Sequence, residues 1–96
     1  MTATPTPGDA LHVAQHVDPA RLLDSIAALA TIGARSDGGV DRPALSALDL
    51  EARRGLIERA LALGCSVETD ACANLFFRRA GLEDLAPVMT GSHIDT

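Results

Sequence analysis

The sequence contains no Lys, Trp or Tyr and only two Phe. Apolar residues nevertheless make up 47% of the chain, a share that is typical of folded rather than disordered proteins. The core must therefore be built from Leu, Ala, Val and Ile. No apolar run approaches the roughly 18 residues that a membrane-spanning helix needs, so we expect no membrane partner.

Positive charge is also scarce. Eight Arg stand against thirteen Asp and Glu, which gives a net charge of -5. Binding to nucleic acid needs a concentrated basic patch that releases counterions, and the Arg residues here are scattered. The sequence therefore predicts no nucleic-acid partner and no affinity for an anionic membrane surface.

The two cysteines, Cys65 and Cys72, are too few for a disulfide framework and too far apart for a zinc-ribbon or redox motif. The first residues, Met1 to Gly8, lack the basic start and the apolar segment of a secretory signal. We therefore expect reduced thiols and a cytoplasmic location.

A chain of 96 residues has room for one small domain. The Thr-Pro-Thr-Pro-Gly stretch predicts an extended, mobile segment from Met1 to about Asp9. We assign residues 1–17 to a flexible tail and residues 18–96 to the domain. His12 and His16 share a helical spacing, but we interpret them as exposed residues without a role.

Two helices are predicted in the first two thirds of the chain. Asp18 can cap the first of them, and Pro19 lacks the N–H that the first helical position leaves unpaired. This helix should end near Ile32, followed by Gly33 in a left-handed conformation. A turn is expected within 36–39, where the sequence reads Ser-Asp-Gly-Gly.

The second helix should begin at Ser46 or Asp49, which are spaced like a capping box, and should end at Gly64. Its apolar spacing predicts a buried side, and its charged residues predict an exposed one. The predicted buried side consists of Leu50, Ile57, Ala60 and Leu61, and the predicted exposed side of Arg53, Arg54, Glu58 and Arg59.

After Gly64 the pattern changes from helical to alternating. Cys65–Thr69 and Asn74–Arg79 predict two antiparallel strands around a turn at residues 70–73. Pro87–Gly91 is a short apolar run that predicts a buried strand. The order helix, helix, β-hairpin, strand indicates an α/β fold.

The end of the chain holds the residues with the most evident chemistry. The predicted last strand is followed by Ser92, His93 and Asp95. On an extended backbone, residues two apart project to the same side. One ring nitrogen of His93 could then bind a metal while Asp95 accepts a hydrogen bond from the other. From this spacing alone, an exposed histidine beside an unrelated aspartate is the commoner interpretation.

The wider sequence favours the metal interpretation. Gly91–Thr96 resembles the G-S-H-x-D-T segment of the hydantoinase/carbamoylase family, the amidohydrolase branch of the M20 metallopeptidase superfamily. Three further motifs agree in order and spacing, and the resemblance extends from Arg21 to Thr96. They are G-G-V-x-R at residues 38–42, D-x-x-x-R at Asp49 and Arg53, and D-A-x-G-N-x-x-x-R at residues 70–78. The sequence departs from the family at Pro43, Ala73 and Phe77.

This resemblance implies the amino-terminal part of an M20-type metallopeptidase-like catalytic domain. It implies that His93 is a ligand of one of two divalent metals, zinc or manganese, and that Asp95 orients it. The implied substrates are small carbamoyl or ureido compounds such as N-carbamoyl amino acids or allantoate, and the implied complete enzyme is a homodimer. The other ligands and the catalytic glutamate of the family lie outside this sequence, so we expect the 96-residue chain to be inactive.

Two other interpretations stay open at this stage. The chain could be a non-catalytic small interaction protein, or a fragment of an M20 peptidase. Arg42 could be a solvated charge, a cap for backbone carbonyls, or a group that grips a carboxylate. Asn74, which follows a turn, is expected to hydrogen-bond to its local backbone.

Overall fold

The structure, a computed structural model, describes Thr4 and residues 6–96. The chain divides into two units, Met1–Thr31 and Ile32–Thr96. None of the helices within these described residues is long and apolar enough to cross a membrane. In the first unit lie α1 (Pro7–Ala14) and α2 (Pro19–Ala30), and in the second lie α3 (Ala47–Ala62), β1 (Ser66–Thr69) and β2 (Leu75–Arg78).

Helix α1 (Pro7–Ala14) begins inside the segment from Met1 to about Asp9 that was predicted to be extended, and that prediction is wrong for residues 7–9. A complete capping box explains the helix, because the Thr6 hydroxyl accepts from the Asp9 N–H at 3.2 Å and the Asp9 carboxylate accepts from the Thr6 N–H at 2.8 Å. The Thr6 N–H bond also lowers the pKa of Asp9. Of the rest of the predicted extended segment, Met1–Ala3 and Pro5 lie outside the described residues, and Thr6 has an extended backbone. The predicted division at residue 17 stays a prediction.

Helix α2 begins as predicted. Asp18 is its N-cap, and the carboxylate accepts from the Arg21 N–H at 3.1 Å, while Pro19 occupies the first helical position. The helix ends at Ala30, two residues before the predicted end. Gly33 then adopts a left-handed φ of 85°, as predicted.

A compact loop follows in the second unit. The Asp41 N–H donates to the Gly33 carbonyl at 2.8 Å and the Arg35 N–H to the Gly39 carbonyl at 2.8 Å, so the loop closes on itself around the predicted turn. Gly33 is required at the closure, since a Cβ atom there would lie 2.5 Å from the Asp41 carbonyl oxygen. Gly38 has a similar φ of 87°, but a Cβ atom there would meet nothing within 4 Å.

Helix α3 begins after Ser46, whose hydroxyl accepts from the Asp49 N–H at 3.1 Å, as the predicted capping box requires. The Asp49 carboxylate, however, does not return to the Ser46 N–H. It accepts from the Leu45 N–H at 3.0 Å and from the Arg53 Nε at 3.1 Å. These bonds hold Leu45 in a left-handed conformation with φ 63°, and they explain why a carboxylate that is only 3% exposed is tolerated.

The end of α3 is a Schellman motif. The Cys65 N–H donates to the Ala60 carbonyl at 2.9 Å, and the Gly64 N–H donates to the Leu61 carbonyl at 3.0 Å. Gly64 has the positive φ of 80° that this motif needs. The helix itself ends at Ala62, two residues before the predicted Gly64, which is the glycine that terminates it.

The buried side of α3 differs in part from the prediction. Ala60 is buried and Ile57 is half-buried, as predicted, and Asp49 and Ala52 are buried as well, whereas Leu50 and Leu61 are exposed. Helix α3 packs against β1, and a short two-stranded sheet covers little of the helix surface. Small side chains are therefore covered while the larger apolar ones remain in contact with water. Arg53, predicted on the exposed side, is half-buried beside Asp49.

The predicted hairpin is confirmed. Strands β1 and β2 are antiparallel, with Val67 opposite Phe77. The Asp70 carboxylate organises the turn, since it accepts from the N–H groups of Cys72 and Asn74, both at 2.9 Å, and from the side-chain amide of Asn74 at 2.9 Å. The Asn74 side chain thus bonds to a carboxylate rather than to backbone as predicted.

One departure from the family pattern falls at this turn. Ala73 has a left-handed φ of 64°, a conformation that glycine adopts without strain, and the family usually has glycine at this position. The turn forms with alanine because the Asp70 bonds on both sides of Ala73 hold the backbone.

The predicted third strand does not form. Residues 87–91 have no regular secondary structure, and Val88 and Met89 are exposed. A strand requires hydrogen bonds to a neighbouring strand. Within the described residues no such neighbour is present, because the sheet consists of β1 and β2 alone.

Replacing Gly33 by Ala should destabilise the second unit more than Gly38→Ala does. Both substitutions place an L-residue at positive φ, which costs about 1–2 kcal/mol. Only Gly33→Ala adds a collision with the Asp41 carbonyl. Urea unfolding, followed through the amide signals of residues 33–42, measures the two free energies of unfolding. Equal losses would show that the loop does not close as described.

The turn should also respond to pH. The Asn74 side-chain bond is the main cause that lowers the pKa of Asp70 below its ordinary value of 3.8. Because the folded pKa is the lower one, this contribution to stability is present above pH 3.8 and is lost as the pH falls through the folded value. An NMR titration of the Asp70 carboxyl carbon measures this pKa.

Two variants test whether the Asn74 side-chain bond is what lowers the pKa of Asp70. Asn74→Ala should raise the pKa of Asp70 towards the ordinary value, whereas Cys72→Ala keeps its backbone donor and should leave the pKa unchanged. An unchanged pKa in Asn74→Ala would contradict the assigned cause.

Candidate metal-ligand site

The segment that contains the predicted site residues is held by Arg42. The Arg42 Nε donates to the Ile94 carbonyl at 2.9 Å. The Arg42 N–H donates to the Thr96 hydroxyl at 2.7 Å, and the Thr96 N–H donates to the Arg42 carbonyl at 3.0 Å. Residues 94 and 96 are therefore joined to the loop that ends at Arg42, although no strand forms in residues 87–91.

Arg42 is itself buried, with 5% of its surface exposed. Its Nη1 donates to the Ile32 carbonyl at 2.6 Å. Of the three interpretations that the sequence allowed, the structure supports a group that caps backbone carbonyls, and Arg42 is not a solvated charge. Each hydrogen bond from a charged group is worth about 1.5–3 kcal/mol, so Arg42 makes a large contribution to this part of the chain.

His93 and Asp95 lie together, as the spacing predicted. The Nδ1 atom of His93 is 3.0 Å from Asp95 Oδ1 and 3.0 Å from the Asp95 carbonyl oxygen. An ionised carboxylate and a carbonyl can only accept hydrogen bonds, so the proton of the neutral ring belongs on Nδ1. This tautomer leaves the lone pair on Nε2. The His93 side chain is 82% exposed, and Nε2 is therefore accessible.

This arrangement suits one metal ligand and its orienting partner. A neutral imidazole binds a metal through one nitrogen, and a carboxylate on the other nitrogen fixes the tautomer. A protein site needs three or four such ligands. No group of three or more His, Cys, Asp or Glu side chains able to hold a metal occurs in the part of the chain that the structure describes. The metal role of His93 and the orienting role of Asp95 remain predictions.

The other chemically active side chains lie apart from this pair in the sequence. His12 and His16 contact each other edge to face, with ring centres 5.3 Å apart, in the first unit. Cys65 is half-buried and Cys72 is exposed, and both are free thiols. Two open grooves in the second unit, of about 730 and 440 Å³, are lined by residues 78–88 and by α3 with the hairpin, and neither includes His93 or Asp95.

Sequence reasoning missed the part that Thr96 plays. The Thr96 hydroxyl accepts from the Arg42 N–H across 54 positions of sequence, and motif spacing does not reveal a contact between residues that far apart. The burial of Arg42 was equally hidden, because an arginine in a glycine-rich loop is usually solvated. The available signal was the place of both residues in the motifs, with Arg42 at the end of G-G-V-x-R and Thr96 at the end of G-S-H-x-D-T.

Comparison with known proteins bears on both the fold and the chemistry. No family model matches the chain. The N-carbamoyl-L-amino-acid amidohydrolase of Rhizobium meliloti is 36% identical over 83 residues, which is 85% of this chain and 20% of the relative.

Solved structures of amidases are also similar to this chain. A hydantoinase/carbamoylase family amidase from Burkholderia multivorans is 48% identical, with a TM-score of 0.79 over 82% of this chain. One from Burkholderia ambifaria is 44% identical, with a TM-score of 0.79 over 83% of this chain. The chain spans about 20% of each. The α/β elements described above match part of an amidase domain, and the chain is related to the hydantoinase/carbamoylase family of amidases over about one fifth of their length.

Proposed function

We propose that this chain is the amino-terminal part of a metal-dependent amidohydrolase that cleaves the carbamoyl or ureido C–N bond of small substrates. In this proposal His93 is one ligand of a site for two divalent metals, zinc or manganese, and Asp95 orients it. The observation that carries the proposal is the Nδ1 contact of His93 with two acceptor oxygens of Asp95, which leaves Nε2 accessible.

The chain's own residues would contribute binding and orientation. His93 would bind one metal through Nε2 while Asp95 keeps the proton on Nδ1 and raises the basicity of the ring. A bound divalent metal lowers the pKa of its water and polarises the substrate carbonyl. The other ligands and the group that transfers protons would come from outside the present sequence.

The proposal extends to the substrate and the oligomeric state of the complete enzyme. The name of the Rhizobium meliloti relative supports an N-carbamoyl amino acid, and an allantoate-like ureido compound is the alternative substrate. We further propose that the complete enzyme is a cytoplasmic homodimer. Two cysteines are too few for the disulfide framework of a small secreted domain, which supports a reducing compartment.

Substitution of His93 should remove a metal. The test uses a chimera in which this chain replaces the matching fifth of the Burkholderia multivorans amidase. His93→Ala should lose about one metal ion per site and most of the hydrolysis of an N-carbamoyl amino acid, because the imidazole is a direct ligand. Asp95→Asn should retain more metal but react about 10–100-fold more slowly, as is typical when the partner of a metal ligand is changed.

Metal analysis beside the rate measurement decides the outcome. His12→Ala is the matched control, because it removes an exposed imidazole from α1 and should change neither quantity. Equal metal content in the parent chimera and in His93→Ala would refute the ligand role. Cleavage of a dipeptide but of no carbamoyl substrate by the parent chimera would favour an M20 peptidase instead.

The 96-residue chain alone should be inactive. One imidazole and one carboxylate cannot hold two metals or transfer protons in the required positions. Incubation of the purified chain with N-carbamoyl amino acids and zinc or manganese should release no free amino acid, and the parent chimera serves as the positive control. Turnover that disappears in His93→Ala would contradict this expectation.

A further inference from the structure

The contact between His93 and Asp95, through which Asp95 orients the ring, is exposed to water. It joins two residues of one short segment, and the side chains are 82% and 41% exposed. Exposed pairs of this kind gain little in water, because solvent screens them and both side chains lose rotational freedom. The backbone of residues 94–96 sets the position of the Asp95 carbonyl oxygen and the point from which the Asp95 side chain reaches the ring.

That backbone is bonded to Arg42 at both residues that flank Asp95. The Ile94 carbonyl accepts from Arg42 Nε, and Thr96 exchanges two hydrogen bonds with the Arg42 backbone. Among the described residues, these are the long-range hydrogen bonds that reach residues 92–96. The preceding residues 87–91 have no regular secondary structure and cannot supply the same restraint.

We infer that Arg42 is a positioning residue, which fixes the backbone around Asp95 and thereby holds His93 as the Nδ1–H tautomer with Nε2 accessible. Its importance for metal binding rests on the proposed function of His93. The orientation of the ring does not depend on that proposal, because the tautomer exists without a metal and can be observed in the chain alone.

The chemistry of arginine suits this role. One planar guanidinium donates from Nε to Ile94 and from Nη1 to Ile32, and these two carbonyls belong to segments about 60 residues apart in sequence. The fixed angle between the two donors sets the distance between the segments. A lysine has a single nitrogen on a flexible stem and cannot reproduce both bonds in this geometry.

The experiment reads the tautomer of His93 from ring ¹⁵N chemical shifts at a pH where the ring is neutral. The intact 96-residue chain is compared with a synthetic hexapeptide of residues 91–96, which has the same local sequence but lacks Arg42. The chain should have a larger Nδ1–H fraction than the hexapeptide. Arg42→Ala loses the Nε bond to Ile94 but keeps the main-chain bonds to Thr96, so it should shift this fraction towards the value of the hexapeptide, while Arg35→Ala should not change it.

Arg35 is the matched control because it lies in the same loop, and its exposed guanidinium contacts Asp37 rather than residues 92–96. Arg42→Ala could unfold the second unit, which the amide signals of α3 would reveal. In that case two milder variants test whether Arg42 positions His93. Arg42→Lys loses the paired guanidinium bonds, and Thr96→Val loses the hydroxyl acceptor. Each should move the tautomer fraction part of the way towards the hexapeptide while the α3 signals stay in place.

Two results would overturn the inference. One is a tautomer fraction in the chain equal to that of the hexapeptide. The other is an unchanged fraction in Arg42→Lys and Thr96→Val with α3 intact. Loss of metal binding in His93→Ala is measured separately, so a failure of the metal-ligand proposal is distinguishable from a failure of this one.

Discussion

A buried guanidinium is charged, and burial removes the water molecules to which its N–H groups would otherwise donate. Each N–H group that is left without a new acceptor costs free energy. Arg42 meets this requirement with backbone carbonyls, at Ile32 on one side and Ile94 on the other. Two distant parts of the second unit are thereby joined at Arg42, through its side chain and, at Thr96, through its main chain. The segment after residue 91 depends on these bonds, because it does not belong to the two-stranded sheet.

The small core makes such polar contacts more important. The buried apolar side chains of the described chain are Ala52 and Ala60, and large apolar residues such as Leu50, Leu61, Phe76 and Val88 are exposed. Apolar burial contributes about 25 cal/mol per Å², so two alanines contribute little. Local hydrogen bonds, at the caps of the helices, around Asp49 and around Asp70, therefore stabilise the elements individually.

The features that were predicted correctly from the sequence are those that depend on residues close together in the chain. The starts of α2 and α3, the glycines at residues 33 and 64, and the β-hairpin each depend on neighbouring residues, and all were predicted. Helix α1 was missed because the prolines around Thr6 suggested a tail, although the Thr6–Asp9 capping box was present in the sequence.

The errors and omissions involve contacts between distant residues. The strand predicted at Pro87–Gly91 has the right composition, but a strand also needs a partner, which composition does not reveal. The buried side of α3 depends on how much of the helix β1 covers. The bonds of Arg42 to Ile94 and Thr96 bridge more than 50 residues, and no local pattern predicts them. The pairing of His93 with Asp95 was predictable because it joins residues two apart.

The proposed metal site depends on one atom of this chain, Nε2 of His93. A crystal of the chimera, loaded with zinc and measured on both sides of the zinc absorption edge, would locate the metal directly. If His93 is a ligand, an anomalous peak should lie about 2.0–2.1 Å from His93 Nε2, with Nδ1 still within hydrogen-bond distance of Asp95. Zinc bound to Nδ1, or a fully occupied zinc site with His93 pointing into solvent, would contradict it.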